Sequence, residues 1–130
     1  MTILNRLRSA ESGSRELDAM IAVSLQIMPN NAFQPCASLD AGTFGTGAHT
    51  FWRAPEYTTS IDAALALVER MLPGGLWRVE KISGVLADQM NAPYWATAGK
   101  AGEQEAAYGK TAPIAILTAL FTALEAKAHD

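Results

Sequence analysis

The segment from Thr111 to Leu124 leaves a chain of this length few ways to fold. Thr111 is a good helix cap, and Pro113 suits the first turn, where its missing N–H costs nothing. Ile114, Ile116, Leu117, Leu120, Phe121 and Leu124 then spread over more than one helical face. A helix that apolar must be covered on two sides. The longest apolar run, 112–123, is interrupted by Pro113, Thr118 and Thr122, and it falls short of the roughly 20 residues a bilayer requires. The rest of the chain therefore has to supply layers around this helix, with Lys127 and His129 placed favourably near its C-terminal end.

Two further helices are expected. Ser14 opens one over about 14–27, with Glu16 and Asp18 in its first turn. Its buried stripe is Leu17, Met20, Ile21, Ser24, Leu25 and Met28, and Pro29 stops it. The other spans about 60–71. Thr58, Thr59 and Ser60 compete for its cap; Ile61, Ala64, Leu65, Val68 and Leu72 form its stripe, and Pro73-Gly74-Gly75 ends it.

Trp77 to Ile82 alternates as a strand does, with Trp77 and Val79 on one face and Arg78 and Glu80 on the other. Val85–Asp88 and Tyr94–Thr97 read as further strands, and 99–109 as an exposed polar loop. Residues 29–56 are broken by Pro35, Gly42, Gly45, Gly47 and Pro55, with a short edge strand at 50–53. The sum is one α+β domain over 1–130: three helices layered on a small, largely antiparallel sheet, an N-terminal arm over 1–10, and an insertion-like irregular region over 29–56.

Three segments join a polar opening to an apolar helical run: Ser14-Arg15-Glu16-Leu17-Asp18-Ala19, Tyr57-Thr58-Thr59-Ser60-Ile61-Asp62-Ala63-Ala64-Leu65 and Gly109-Lys110-Thr111-Ala112-Pro113-Ile114-Ala115. In this order, with the tryptophan strand between the last two, they resemble the phage ABA-sandwich domain family of small phage and prophage proteins. The resemblance covers about residues 10–28 and 50–128. It implies an α/β/α sandwich, a phage-derived gene and a product working in the bacterial cytoplasm. The family brings no established reaction, so no catalytic residue carries over.

The net charge of −3 argues against nucleic-acid binding, which begins with a basic footprint. Arg6, Arg8 and Arg15 cluster, but Glu11, Glu16 and Asp18 lie among them. Cys36 is the single cysteine, which rules out an internal disulfide and disfavours a cysteine-based zinc site. No long apolar segment suggests a signal peptide or a membrane span.

Motifs for chemistry are sparse. Gly42-Thr43-Phe44-Gly45-Thr46-Gly47 has no lysine after its last glycine, and Lys110-Thr111 lacks a glycine run, so neither is a phosphate loop. Cys36, Asp40 and His49 match no metal-ligand spacing; neither metal nor cofactor is expected. Cys36 with His49 is the one Cys/His pair to consider for nucleophilic catalysis. Asp18 with Asp62, or Glu69 with Glu80, would be carboxylate pairs, though first-turn placement suffices to explain Asp18 and Asp62.

Trp52, Tyr57, Trp77, Tyr94 and Trp95 concentrate in the sheet and its approach. The candidate ligand- or partner-binding surface is Trp52, Arg53, Tyr57, Arg78 and Glu80, aromatic bodies beside charged heads. The reading that follows is a non-enzymatic interaction module that self-associates, acting on a protein or small ligand and not on nucleic acid or membrane. Its alternatives are a small enzyme using carboxylates or Cys36/His49, and a minor virion component.

Overall fold

The computed structural model describes residues 2–29, 32–38, 41–47 and 50–128. In chain order the elements are α1 (Ile3–Ser9), α2 (Arg15–Leu25), β1 (Phe33–Ser38), β2 (Thr43–Gly45), β3 (Phe51–Arg53), α3 (Ile61–Met71), β4 (Leu76–Lys81), α4 (Val85–Met90), β5 (Tyr94–Gly99), β6 (Glu105–Gly109) and α5 (Ala112–Ala128). The strands form two antiparallel three-stranded sheets, β1-β2-β3 and β4-β5-β6. The α+β class holds, with five helices among the described residues rather than three.

The expected helix buried on two sides is α5. Thr111 caps it by accepting a hydrogen bond from the Ile114 N–H at 3.3 Å, and every residue from Ala112 to Phe121 is buried. It packs on β4, β5 and β6, and also on α1 and α3. The C-terminal sheet offers it a face of small side chains: Ala96, Ala98 and Ala107 are buried there. Small residues on both partners bring helix and sheet close. A Cβ built on Gly109 would lie 2.5 Å from the Ala115 nitrogen, so this strand end tolerates no side chain. The third segment of the family resemblance, 109–115, is this close approach.

The other two segments meet in a polar knot. Ser14 caps α2 through the Leu17 N–H at 3.1 Å, and Ser60 caps α3 through the Ala63 N–H at 3.2 Å. Asp18 is fully buried rather than a solvated first-turn charge. Its Oδ1 accepts from the Thr58 N–H at 2.8 Å and the Thr58 hydroxyl at 2.7 Å; its Oδ2 pairs with Arg15 Nη1 at 2.7 Å. Thr58 Oγ1 accepts in turn from the Ser14 N–H at 2.9 Å. The Arg15 guanidinium continues outward, Nη2 donating to the Ala54 carbonyl and Nε to the Ala41 carbonyl at 3.3 Å. Gly42 lies under it: a Cβ there would come within 2.7 Å of Arg15 Nη2. A buried carboxylate and a largely buried guanidinium are tolerable because each has a charged partner and additional hydrogen bonds. The knot thereby ties α2 to the start of α3 and both to the N-terminal sheet.

Five expectations need correction. Residues 3–9 form a helix, not an arm, because Thr2 caps the Asn5 N–H at 3.2 Å and Leu4 and Leu7 bury one face. The irregular region 29–56 contains β1 and β2 as well as the edge strand at 51–53. Pro35 is tolerated because β1 is at the sheet edge, with a register shift between Phe33 and Ser38. Val85–Asp88 belongs to α4, in keeping with the helix preference of Leu86, Ala87, Gln89 and Met90. The loop expected over 99–109 contains β6, whose alanines and glycine hide a strand period that pairing to β5 enforces. Helix α2 also stops before Pro29, at Gln26 in the left-handed conformation (φ 55°).

Candidate functional site

The five residues of the candidate surface fall on different parts of the fold. Trp52 is half-buried on β3, its ring tilted 42° against the fully buried Phe44 at a centroid distance of 5.7 Å. Arg53, next to it, is exposed and faces Glu56 at 4.0 Å, a contact worth little in water. Tyr57 is buried within the core cluster. Burial pushes its phenol above the ordinary 10.0, with Arg70 pulling it down and Asp18 pushing it up. Arg78 and Glu80 stand on β4, in the other sheet. The structure brings these two together as an ion pair, on one face of the strand and open to water. Trp52 and Arg53 are not on their sheet.

Of the carboxylate pairs, Asp18 is committed to Arg15 and Thr58 inside the knot, whereas Asp62 is exposed. Glu69 is exposed on α3 and Glu80 pairs with Arg78. His49 and Asp40 lie outside the described residues, so the Cys36/His49 pair has no described geometry. Among the described residues no group of three His, Cys, Asp or Glu side chains gathers as a metal site would, and each buried side-chain N or O atom has a hydrogen-bond partner. A shallow cleft of about 310 Å³ opens where Arg8, Glu11, Tyr108 and Lys110 meet, bridged by a Lys110–Glu11 pair at 3.1 Å. None of the five candidate residues lines it.

What distinguishes β4 is its position. It is an edge strand of the C-terminal sheet, and two large apolar residues stand out on it: Leu76 is 48% exposed and Trp77 41%. Alternation alone puts Trp77 with Val79 on one side of the strand. The register agrees, since Val79 and Ala96 pair, as do Trp77 and Ala98, and both alanines are buried. Val79 packs against the core, while Trp77, nearer the strand start, is only partly covered. The opposite face carries Leu76, Arg78 and Glu80, continued by Thr97 and Trp95 on β5 and by Ala106 and Tyr108 on β6.

Backbone pairing adds a second fact about this strand. The Ile82 N–H donates to the Pro93 carbonyl at 2.7 Å. In an antiparallel ladder the inward-bonding residues alternate. By that alternation Glu80, Arg78 and Leu76 bond toward β5, and Lys81, Val79 and Trp77 point their N–H and C=O groups away from the sheet. Among the described residues, β4 has no strand on that outer side.

No protein-family model and no curated protein matches the chain. Among solved structures, it is similar to a phage protein from Bacillus cereus ATCC 14579 whose crystal structure was determined at 2.0 Å. Identity is 13%, the TM-score is 0.50, and the match covers 90% of this chain and 93% of that one. At this identity the likeness is one of fold. Among the described residues no helix is long and apolar enough to cross a membrane.

Proposed function

We propose that this chain is a phage-derived accessory protein of the ABA-sandwich type, acting as a non-enzymatic interaction module that self-associates. The observation that carries the reading is the outer edge of β4, where among the described residues no strand pairs with the backbone beside exposed Leu76 and Trp77. An edge of that kind is a template for another strand. The fold shared with a phage protein and the three resembling segments support the origin. A non-enzymatic role is supported by how the interior charges are used: Asp18 and Arg15 spend their bonding capacity on holding helices and sheet together.

Sedimentation or light scattering on the purified protein tests the reading. A reversible oligomer whose fraction grows from micromolar to millimolar protein is expected. A strict monomer throughout that range removes self-association.

A further inference from the structure

The partner for the β4 edge can be specified more closely, on the reading that the protein self-associates. We infer that β4 pairs with β4 of a second copy, antiparallel and in a single register, with Val79 on the two-fold axis. Two properties of the strand select this arrangement: its backbone polarity and the order of charges along it.

Backbone polarity limits the registers. Trp77, Val79 and Lys81 are the residues whose N–H and C=O groups face outward, as the Ile82–Pro93 hydrogen bond fixes. Only registers that oppose these residues to one another make a ladder. With Val79 facing Val79 of the copy, Trp77 faces Lys81, and each of the three resulting pairs exchanges two backbone hydrogen bonds. The sheets of the two copies then merge into one, three strands from each.

Charge selects among the allowed registers. The strand reads Leu76-Trp77-Arg78-Val79-Glu80-Lys81. With Val79 at the centre, Arg78 of each copy stands opposite Glu80 of the other, at the closely spaced, non-hydrogen-bonded positions where side chains meet best. Each Arg78 already pairs with its own Glu80. Dimerisation would extend that pair into a ring of four alternating charges, on a face where the Arg78 side chain is 69% exposed in the single chain. Sliding to the next allowed register in one direction sets Arg78 against Arg78, and in the other Glu80 against Glu80. Both juxtapose like charges and are unfavourable.

The apolar and aromatic residues fit the same register. Leu76 comes opposite Ile82 on the charged face. On the other face exposed Trp77 meets Lys81, also exposed, whose stem and ammonium can cover the indole. An isologous interface requires such self-complementarity about an axis, and Trp77-Arg78-Val79-Glu80-Lys81 has it about Val79.

A charge swap tests the register without touching the core. Arg78→Glu alone sets the new carboxylate against Glu80 of the copy, and Glu80→Arg alone sets the new guanidinium against Arg78 of the copy. Each is expected to weaken self-association roughly tenfold or more. An equimolar mixture of the two variants should recover a heterodimer: the strand with two carboxylates lies against the strand with two guanidinium groups, and both cross-strand pairs are of opposite sign. The double variant Arg78→Glu/Glu80→Arg should self-associate like the wild type. Far-ultraviolet circular dichroism and melting temperature confirm that each variant is folded. If the wild type associates but either single variant does so equally well, or the mixture fails to recover, the register is wrong while self-association stands. If the wild type is monomeric at every concentration, both readings fall.

Discussion

The two sheets of this protein are held in place by different physics. The C-terminal sheet runs in unbroken register over six consecutive pairs from Leu76–Gly99 to Lys81–Tyr94, and it buries alanines against a helix that is itself buried on every face from Ala112 to Phe121. Its attachment is apolar and spread over many residues, as core packing is. The N-terminal sheet has strands of three residues at β2 and β3 and an irregular register at β1. Its link to the helices passes through Arg15, which reaches from Asp18 to the carbonyls of Ala41 and Ala54. One sheet is anchored by apolar area alone; the other adds to the burial of Phe44 a few directed bonds that cross to the helices. An anchor of the first kind degrades by increments. An anchor of the second kind fails when one partner is lost, because the group left behind is buried without compensation.

The largest expected effect follows from that asymmetry. Asp18→Ala leaves the Arg15 guanidinium without its carboxylate and strips the Thr58 N–H of its acceptor. Breaking a buried pair in this way should cost about 3–5 kcal/mol, read by urea unfolding. A loss below about 1 kcal/mol, the ordinary value of a surface pair, would mean the knot is ornamental.

A smaller loss is expected where the apolar anchor is tightest. Gly109→Ala places a methyl group 2.5 Å from the Ala115 backbone nitrogen, so strand or helix must shift. Overpacking of that kind costs about 1–3 kcal/mol. Gly74→Ala is the matched control for the loss of a glycine at a site with open space, where any cost arises from its φ of 74° and not from contact. If Gly109→Ala is neutral by the same unfolding assay, the close approach of α5 to the sheet is not a constraint.

The smallest effect belongs to Tyr57, just before Thr58 of the knot and itself part of the core. Its folded pKa is raised above 10.0, first by burial. Below pH about 10 the phenol is neutral in both states and costs nothing. Above it the unfolded chain ionises first and binds fewer protons, so stability falls as pH rises through the folded pKa. Tyr57→Phe should flatten this alkaline limb in melts taken between about pH 9 and 11. An unchanged limb would assign it to lysines or other tyrosines.

This contrast also explains what was legible in the sequence. Periodic burial leaves a trace, so α2, α3, α5, β4 and β5 were readable from residue spacing and capping residues, and so was the two-sided burial of α5. Elements built from small residues leave none: Ala106, Ala107 and Gly109 on β6 gave no strand period, and only the register to β5 defines it. The knot was hidden for another reason. Asp18 sits where a solvated first-turn carboxylate is common, and its partners Thr58 and Arg15 are polar residues at helix starts, where capping alone accounts for them. Only a contact 40 residues away in sequence shows Asp18 to be buried. The candidate surface looks like one aromatic cluster in the sequence because sequence carries no information on which sheet a tryptophan joins. Trp52 packs on Phe44 in one sheet, and Trp77 stands on the edge of the other. The charge order around Val79 was visible throughout, but its meaning depends on β4 being an edge.

Native-state hydrogen exchange on the wild type and Leu120→Ala tests the two-anchor account most directly. Leu120 is fully buried on α5, and its truncation should lower global stability by about 2–5 kcal/mol. If the N-terminal sheet opens while the C-terminal sheet remains folded, the amides of Phe44, Trp52 and Ala54 report an opening that Leu120 does not enter. Their exchange energies should then stay at wild-type values, while those of Ala96 and Ala107 fall by the full cost of the substitution. A fall of equal size in both sets would show one cooperative unit and would contradict the separate anchoring of the two sheets.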